Sequence, residues 1–428
     1  MTFPQLLNDR LVFLDGGTGT LLQARGLGAG ESPELWNLQR PDDLVAIHRS
    51  YYDAGADVVV SNTFGANPLK LKAACTVEET VSAAIQNLRT ARDSAGHGFI
   101  ALDVGPTGHL LAPLGDLDFD DAVAAFRILM EAGAKAGAEV ISIETMTDLY
   151  ELKAAVLAAR ECCDLPVVAS AAFDGNGRLL TGADPAALVS LLEGLGVTAL
   201  GVNCGVGPIQ LADTARTLLE LSSTPVLLKP NAGLPCTENG CTHYDINAEQ
   251  FAAAIAPLAA EGVHLVGGCC GTTPEHISAL RSACEGIVPA PVTQKEYVFI
   301  SSGTQALDAR TLDLAAITPI SVPDDPDDLL DEVFDHQDEE EPVLRLDFSF
   351  GDGLSPQDAV EAVQAVAGLP LWLEGTDAAA LEPALRRLNG KALVTVPNGD
   401  PALLALLHRF GGVAYDPANG TLADCKRA

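Results

Sequence analysis

Three thiols stand where apolar runs end. Cys204 closes Leu-Gly-Val-Asn-Cys-Gly, and Cys269 and Cys270 lie side by side in Leu-Val-Gly-Gly-Cys-Cys-Gly. If those runs neighbour each other in a closed parallel barrel, the three sulfurs can hold one Zn²⁺ and leave its fourth position open, as catalytic zinc requires. Adjacent cysteines alone argue little, because Cys162 and Cys163 share that feature at a helix end with nothing else to mark them. Cys269 and Cys270 differ in being flanked by glycines. A glycine turn leaving the strand lets both sulfurs face one ion, although neighbours on a strand point to opposite faces. Zinc bound to three thiolates is a poor generator of hydroxide, but it strips the proton from an incoming thiol. A free thiol with a pKa near ~8.5 is mostly protonated at neutral pH. The chemistry implied is alkyl transfer to sulfur.

Other polar residues at such run ends describe the rest of a substrate. Asp15, Gly16 and Gly17 open Asp-Gly-Gly-Thr-Gly, where glycines can expose backbone N–H groups to a carboxylate. Glu144 follows Val-Ile-Ser-Ile, and a carboxylate on an apolar strand needs a cation or hydrogen bonds. With Asp15 it could hold an ammonium group, or the two could form an ion pair or helix cap inside the barrel mouth. Asn62, Thr63 and Asn203 either order the site or satisfy turn backbones. An α-amino acid bearing a thiol meets all these demands.

The elements that must position these residues are legible as apolar runs at 11–17, 58–65, 99–106, 140–146, 167–173, 199–205, 226–233 and 265–271. Continuous rather than alternating runs fit strands covered on both faces. Between them lie helical patterns such as 42–54, 120–136 and 247–260, and Asp184-Pro185 and Thr273-Pro274 read as helix starts. Eight such alternations predict a (β/α)8 TIM barrel over 1–286, with its site at the carboxyl ends of the strands. A linker at 287–296 follows. Residues 297–428 carry a second, shorter series, an α/β half-barrel-like domain with strands expected at 297–301, 343–350, 369–374, 392–396 and 413–415. The stretch 324–341 holds eleven acids and no lysine or arginine, and reads as a solvated helix and loop or as a docking surface.

Composition narrows the class. The 428 residues are 48% hydrophobic with a formal charge of −33, a surface that repels nucleic acid and anionic membranes. No run approaches the ~18 apolar residues of a membrane helix, and the N-terminal residues lack a secretory pattern. Ten unevenly spaced cysteines do not make a secreted disulfide framework. The expected compartment is the cytoplasm. Cys236 and Cys241 bracket Thr-Glu-Asn-Gly beside the expected mouth, either as a hairpin disulfide or, as a reducing compartment favours, as two free thiols. His243 reads as a loop residue rather than a ligand.

The motifs Leu-Asp-Gly-Gly-Thr-Gly-Thr, Ser-Asn-Thr-Phe-Gly-Ala-Asn, Asp-Val-Gly-Pro-Thr-Gly, Ile-Glu-Thr-Met, Gly-Val-Asn-Cys, Lys-Pro-Asn-Ala-Gly and Gly-Gly-Cys-Cys-Gly-Thr-Thr-Pro, in this order over about 10–285, resemble the homocysteine S-methyltransferase family. The likeness is greatest to the homocysteine module of the cobalamin-dependent methionine synthases. It implies that Cys204, Cys269 and Cys270 bind zinc, that Asp15, Gly16, Gly17, Thr63 and Glu144 hold the amino-acid end, and that Asn203 supports the site. The implied reaction is methyl transfer to homocysteine, giving methionine. In those synthases a folate-binding barrel follows, and Leu346-Asp347-Phe348-Ser349-Phe350-Gly351 resembles its Asp-Val-Asn strand, with 371–374 and 393–396 as successors. Ser349, Glu374 and Thr395 depart from that pattern, and the series stops half a barrel long, so no folate binding is expected. The expected donor is a methylcobalamin carried by a separate corrinoid protein. A small donor such as S-methylmethionine or betaine is a second reading, and a non-catalytic subunit of a methyltransferase assembly is a third.

Overall fold

The computed structural model describes every residue except 29, 72–74, 239–240, 352 and 428; at 237–238 and 241–243 it describes the backbone alone. The chain divides into two compact units, Met1–Leu180 with Val197–Gln294, and Thr181–Gly196 with Lys295–Ala428.

In the first unit the strands are β1 (Val12–Phe13), β2 (Val58–Val60), β3 (Phe99–Val104), β4 (Val140–Met146), β5 (Val167–Ala171), β6 (Ala199–Asn203) and β7 (Val226–Lys229). A hairpin, β8 (Pro235–Glu238) and β9 (Cys241–Tyr244), precedes β10 (Leu265–Val266). Eight of them form one parallel sheet in the order β1-β10-β7-β6-β5-β4-β3-β2. A parallel bridge from Leu14 to Val58 joins its two edges. This is the expected (β/α)8 barrel. The helices between strands start as their caps direct: Asn247 caps Ala248–Glu261 by accepting from the Gln250 N–H, and Thr76 does the same for Val77–Ala95 from Glu79.

The barrel interior has two chemistries, one above the other. Val12, Val58, Ala101, Val140, Val168, Ala199, Leu227 and Leu265 form an apolar floor, covered from below by Phe3, Leu6 and Leu7 of the helix Phe3–Asp9. Side chains on a strand return to the same face every second residue. Two to four positions further along the inward rows stand Asp103, Glu144, Ser170, Asn203 and Lys229, all buried. The lower layer holds the ring together, and the upper layer carries charge.

In the second unit β13 (Pro319–Ser321), β14 (Leu344–Asp347), β15 (Leu371–Glu374), β16 (Leu393–Thr395) and β17 (Gly412–Asp416) run parallel in chain order, and β18 (Thr421–Cys425) returns antiparallel to β17. A separate hairpin of β11 (Phe299–Ser301) and β12 (Ala306–Asp308) packs through Ile300 and Leu307 on a cluster with Val343, Trp372, Leu393 and Val413. The strand expected at 297–301 therefore belongs to this hairpin rather than to the main sheet. β12, β13 and β18 were not expected, being only three to five residues long with few apolar positions to mark them. The acidic stretch folds largely as the helix Pro326–Asp338, burying Leu329 and Val333.

The helix Pro185–Gly194, which connects β5 to β6 in sequence, groups with this second unit. Asp184 caps it through the Ala187 N–H, and its residues from Ala187 to Gly194 are all buried. The Asp184 N–H bonds to the Thr304 carbonyl, the Arg427 N–H bonds to the Gly194 carbonyl, and Lys426 pairs with Glu193 at 2.6 Å. Among the described residues no helix is long and apolar enough to cross a membrane.

Candidate active site

Cys204, Cys269 and Cys270 do converge: their sulfurs lie within 4.8 Å of one another, and they are the one such group of metal-ligating side chains among the described residues. The strands that deliver them are not neighbours, because β7 lies between β6 and β10. The chain leaving β7 is what joins them. The Cys204 N–H bonds to the Lys229 carbonyl at 3.1 Å and the Cys269 N–H to the Pro230 carbonyl at 2.8 Å. Asn231 Oδ1 accepts from the Cys270 N–H at 3.1 Å, and the Cys270 carbonyl accepts from the Ala232 N–H at 2.9 Å.

Backbone conformation aims the sulfurs. Cys204 sits at φ 60, a left-handed conformation that turns it out of β6 and that a side-chain-bearing residue adopts only at a cost of about 1–3 kcal/mol. β10 ends at Val266, so Cys269 and Cys270 lie in a turn and strand alternation does not apply to them. Gly271 at φ +80 completes that turn, and a Cβ there would run into the Tyr244 ring. The thiols act on one another: hydrogen bonds with Cys204 and Cys269 pull the Cys270 thiol down to about 3, while hydrogen bonds with Cys204 and Cys270, with burial, push Cys269 well up. Tyr244 also hydrogen-bonds Cys270.

The sulfurs sit on the wall of a cavity of about 370 Å³ that also exposes Gly16, Gly17, Asp103, Glu144, Thr145 and Lys229. Lys229 is 2% exposed and lies 2.9 Å from Glu144 and 3.3 Å from Asp15. Burial opposes its charge, but Glu144 and Asp15 prevail and hold it well above the usual lysine range. Asp15 is wholly buried behind the cavity wall, where its Oδ2 accepts from the Val60 N–H at 2.9 Å. Burial pushes its carboxyl up to about 6, against the pull of Lys229. Of the two acids singled out in the sequence, Glu144 reaches the cavity and Asp15 supports it from behind.

The remaining candidates form the frame. Asn203 accepts from the Thr145 N–H at 2.7 Å and from Ser170 Oγ at 2.8 Å, and its Nδ2 donates to Thr145 Oγ1 at 2.7 Å. It thereby fixes Thr145, which lines the cavity at φ 63. Thr63 is buried and donates to the Asp103 carbonyl at 2.7 Å. The Gly17 N–H, expected to be open to a carboxylate, is bonded to Thr272 Oγ1 at 3.0 Å and to its carbonyl at 3.3 Å. In the β8–β9 hairpin Cys236 is paired with His243 and Glu238 with Cys241, so the two cysteines are not opposite each other, and Cys236 is a free, exposed thiol. The side chains of Cys241 and His243 lie outside the described residues; His243 is on a strand rather than in a loop.

Sequence reasoning passed over Lys229, Asp103 and Tyr244. Lys229 and Asp103 carry the signal that exposed Glu144, a charge at the end of an apolar run. Tyr244 had none, because only the hairpin fold brings it to Cys270.

Fold and site together define a parallel (β/α)8 barrel with a three-thiol centre and a charged cavity at its mouth. Residues 12–284 match the model of the family described as homocysteine S-methyltransferase, and the chain belongs to that family. It is 32% identical to the methionine synthase of Mycobacterium tuberculosis (strain ATCC 25618 / H37Rv) over 92% of its own length and 36% of that protein. Its identity to the methionine synthase of Mycobacterium leprae (strain TN) is 30%, with the same coverages. The chain thus spans about a third of the length of these relatives. Among solved structures, the metallated form of the homocysteine methyltransferase MmuM from Escherichia coli is similar at 26% identity and a TM-score of 0.56, over 65% of this chain and 98% of that one.

Proposed function

We propose that the barrel, residues 1–286, binds zinc through Cys204, Cys269 and Cys270 and methylates the thiol of L-homocysteine to give methionine, with a methyl-corrinoid as donor. One observation carries the reading: sulfurs from two separate strand ends lie within 4.8 Å of one another on the wall of a cavity that also presents Glu144. Three cysteines so placed fit a tetrahedral zinc with one position to spare. When bound, zinc supplies that position to the substrate thiol and keeps it as thiolate at neutral pH.

The chain's own residues do the rest. Glu144 receives the ammonium end, held in place by Lys229 and, behind it, Asp15. Gly16 and Gly17 line the part of the cavity that takes the amino-acid end, packed so tightly on Thr272 and the Cys269 carbonyl that neither position has room for a side chain, and Thr63 and Asn203 fix the wall. The C–S bond forms as the donor–methyl bond breaks, the electron pair of that bond stays with the donor and the thiol proton leaves to solvent, so binding in line and excluding water suffice and no side-chain base is required. Free working thiols suit a reducing cytoplasm.

For the donor, the support is the rim of the mouth. Leu69, Leu110, Leu114, Leu180, Ile209 and Leu234, which follow the carboxyl ends of β2, β3, β5, β6 and β7, are between 41% and 76% exposed. Several exposed apolar side chains following the strand ends that carry the site fit a macromolecular partner better than a small soluble donor. The corrinoid would be presented by a separate protein. The test is a donor panel on the zinc-loaded protein with homocysteine, scoring methionine by mass spectrometry. Methylcobalamin should support turnover. Equal methionine from S-methylmethionine or betaine without any corrinoid would refute the donor assignment, and no methionine from any donor would refute the activity.

A further inference from the structure

Asp103 is an acid without a cation of its own. It stands on β3 two residues beyond Ala101 of the apolar floor, so its side chain points inward. Its main chain is tied on both sides: the N–H donates to Ser61 Oγ at 3.2 Å and the carbonyl accepts from Thr63 Oγ1 at 2.7 Å. The side chain is not tied. It is 6% exposed, lines the cavity, and its Oδ1 has no hydrogen-bond partner. A buried carboxylate oxygen left in this state is costly and asks for an explanation.

The surrounding charges sharpen the point. Glu144, Asp15 and Glu34 all act on Asp103, and Lys229 is the single cation set against them. Lys229 is itself engaged, at 2.9 Å from Glu144 and 3.3 Å from Asp15. Burial first, then Glu144, hold the Asp103 carboxyl well above the usual range. The cavity is therefore short of positive charge on the Asp103 side, and a small cation entering it would relieve both the open hydrogen-bond position and the charge imbalance.

We propose that Asp103 is the counter-charge for the ammonium group of the substrate, a specificity residue that makes the cavity choose an α-amino thiol over the same thiol without its amine. The proposal rests on the homocysteine reading and deepens it. Glu144 contributes from the other side, but Lys229 already offsets its charge, so discrimination falls chiefly to Asp103.

The test is calorimetry on the zinc-loaded full chain with two probes, L-homocysteine and 4-sulfanylbutanoate, which has the same skeleton without the amine. The wild-type protein should prefer homocysteine by about tenfold or more, the range expected of a charge-assisted hydrogen bond. Asp103→Asn should weaken homocysteine by about that factor and leave 4-sulfanylbutanoate within about twofold, so that the preference collapses; zinc content should not change. Asp103→Ser is the second variant if the first does not fold. If homocysteine binds and either variant keeps the wild-type preference, this proposal fails and the homocysteine reading stands. A wild-type protein that binds both probes equally overturns the proposal without any variant, and one that binds neither overturns both readings.

Discussion

Replacing Lys229 by Met should be among the most damaging single changes in the barrel, and its effect should depend on pH. Lys229 is 2% exposed and neutralises Glu144 at 2.9 Å and Asp15 at 3.3 Å. At an effective dielectric of ~20 each contact is worth about 5 kcal/mol of attraction before desolvation is counted. Removing one partner of such a buried group typically costs about 3–5 kcal/mol, because the other charges remain. The carboxyls can escape only by taking up protons, and holding one protonated at pH 7 against an ordinary pKa near ~4 costs about 4 kcal/mol, which agrees. The sign of the pH dependence follows. Asp15 is already raised to about 6 in the wild-type protein, and a carboxyl raised in the folded state destabilises increasingly as pH rises from its unfolded pKa through its folded one. Without Lys229 that window extends upward, so the deficit should be small near pH 5 and full at pH 8. Trp36 and Trp372 are the two tryptophans, one in each unit, so in a Trp372→Phe background Trp36 fluorescence follows the barrel alone. The melting point of Lys229→Met should fall by about 10 °C at pH 8, and adding Asp15→Asn should restore part of it. A loss under about 1 kcal/mol, or the same loss at both pH values, would refute the ion-pair reasoning.

Cys269→Ala should lower bound zinc from about one per chain to under about a tenth by elemental analysis, since two thiols fall short of the three protein ligands that hold a catalytic zinc; metal retained at the wild-type level contradicts the assignment. Asn203→Ala removes two hydrogen bonds to Thr145 and one from Ser170 and should cost about 1–3 kcal/mol of stability while weakening homocysteine several-fold; unchanged binding would limit Asn203 to a packing role. In the second unit Thr395 accepts from Trp372 Nε1 at 2.8 Å and donates to Glu374 at 3.1 Å. Thr395→Val should cost that unit about 1–3 kcal/mol, read from Trp372 fluorescence, with homocysteine affinity untouched. Glu374 is further held by Arg345 at 2.7 and 3.1 Å, so methyltetrahydrofolate should give no saturable heat in calorimetry, and micromolar binding would overturn that expectation.

The barrel was legible because each of its strands is an apolar run covered on both faces, and the thiols because cysteine at a glycine-rich strand end has few other uses. The Asp15–Lys229–Glu144 triad was only half legible: a charge ending an apolar run marks each residue, but which charge faces the cavity and which lies behind depends on the closure of the ring. The left-handed turn at Cys204 and the reach of Tyr244 to Cys270 have no one-dimensional signature, because both depend on segments that meet only in the folded chain. In the second unit β12, β13 and β18 escaped for a simpler reason, being three to five residues long with partly exposed side chains.

The helix Pro185–Gly194 has a bearing on how the polypeptide reaches its native state. A helix rich in alanine, leucine and valine and buried from Ala187 to Gly194 leaves the ribosome well before the residues near 300 and 427 that bond to its ends are made. Until then it is a sticky stretch in need of shelter, and a genetic cut after residue 294 would leave it so permanently. Separating the two units for biochemistry therefore calls for redesigning this helix's bare face, not merely choosing a place to stop.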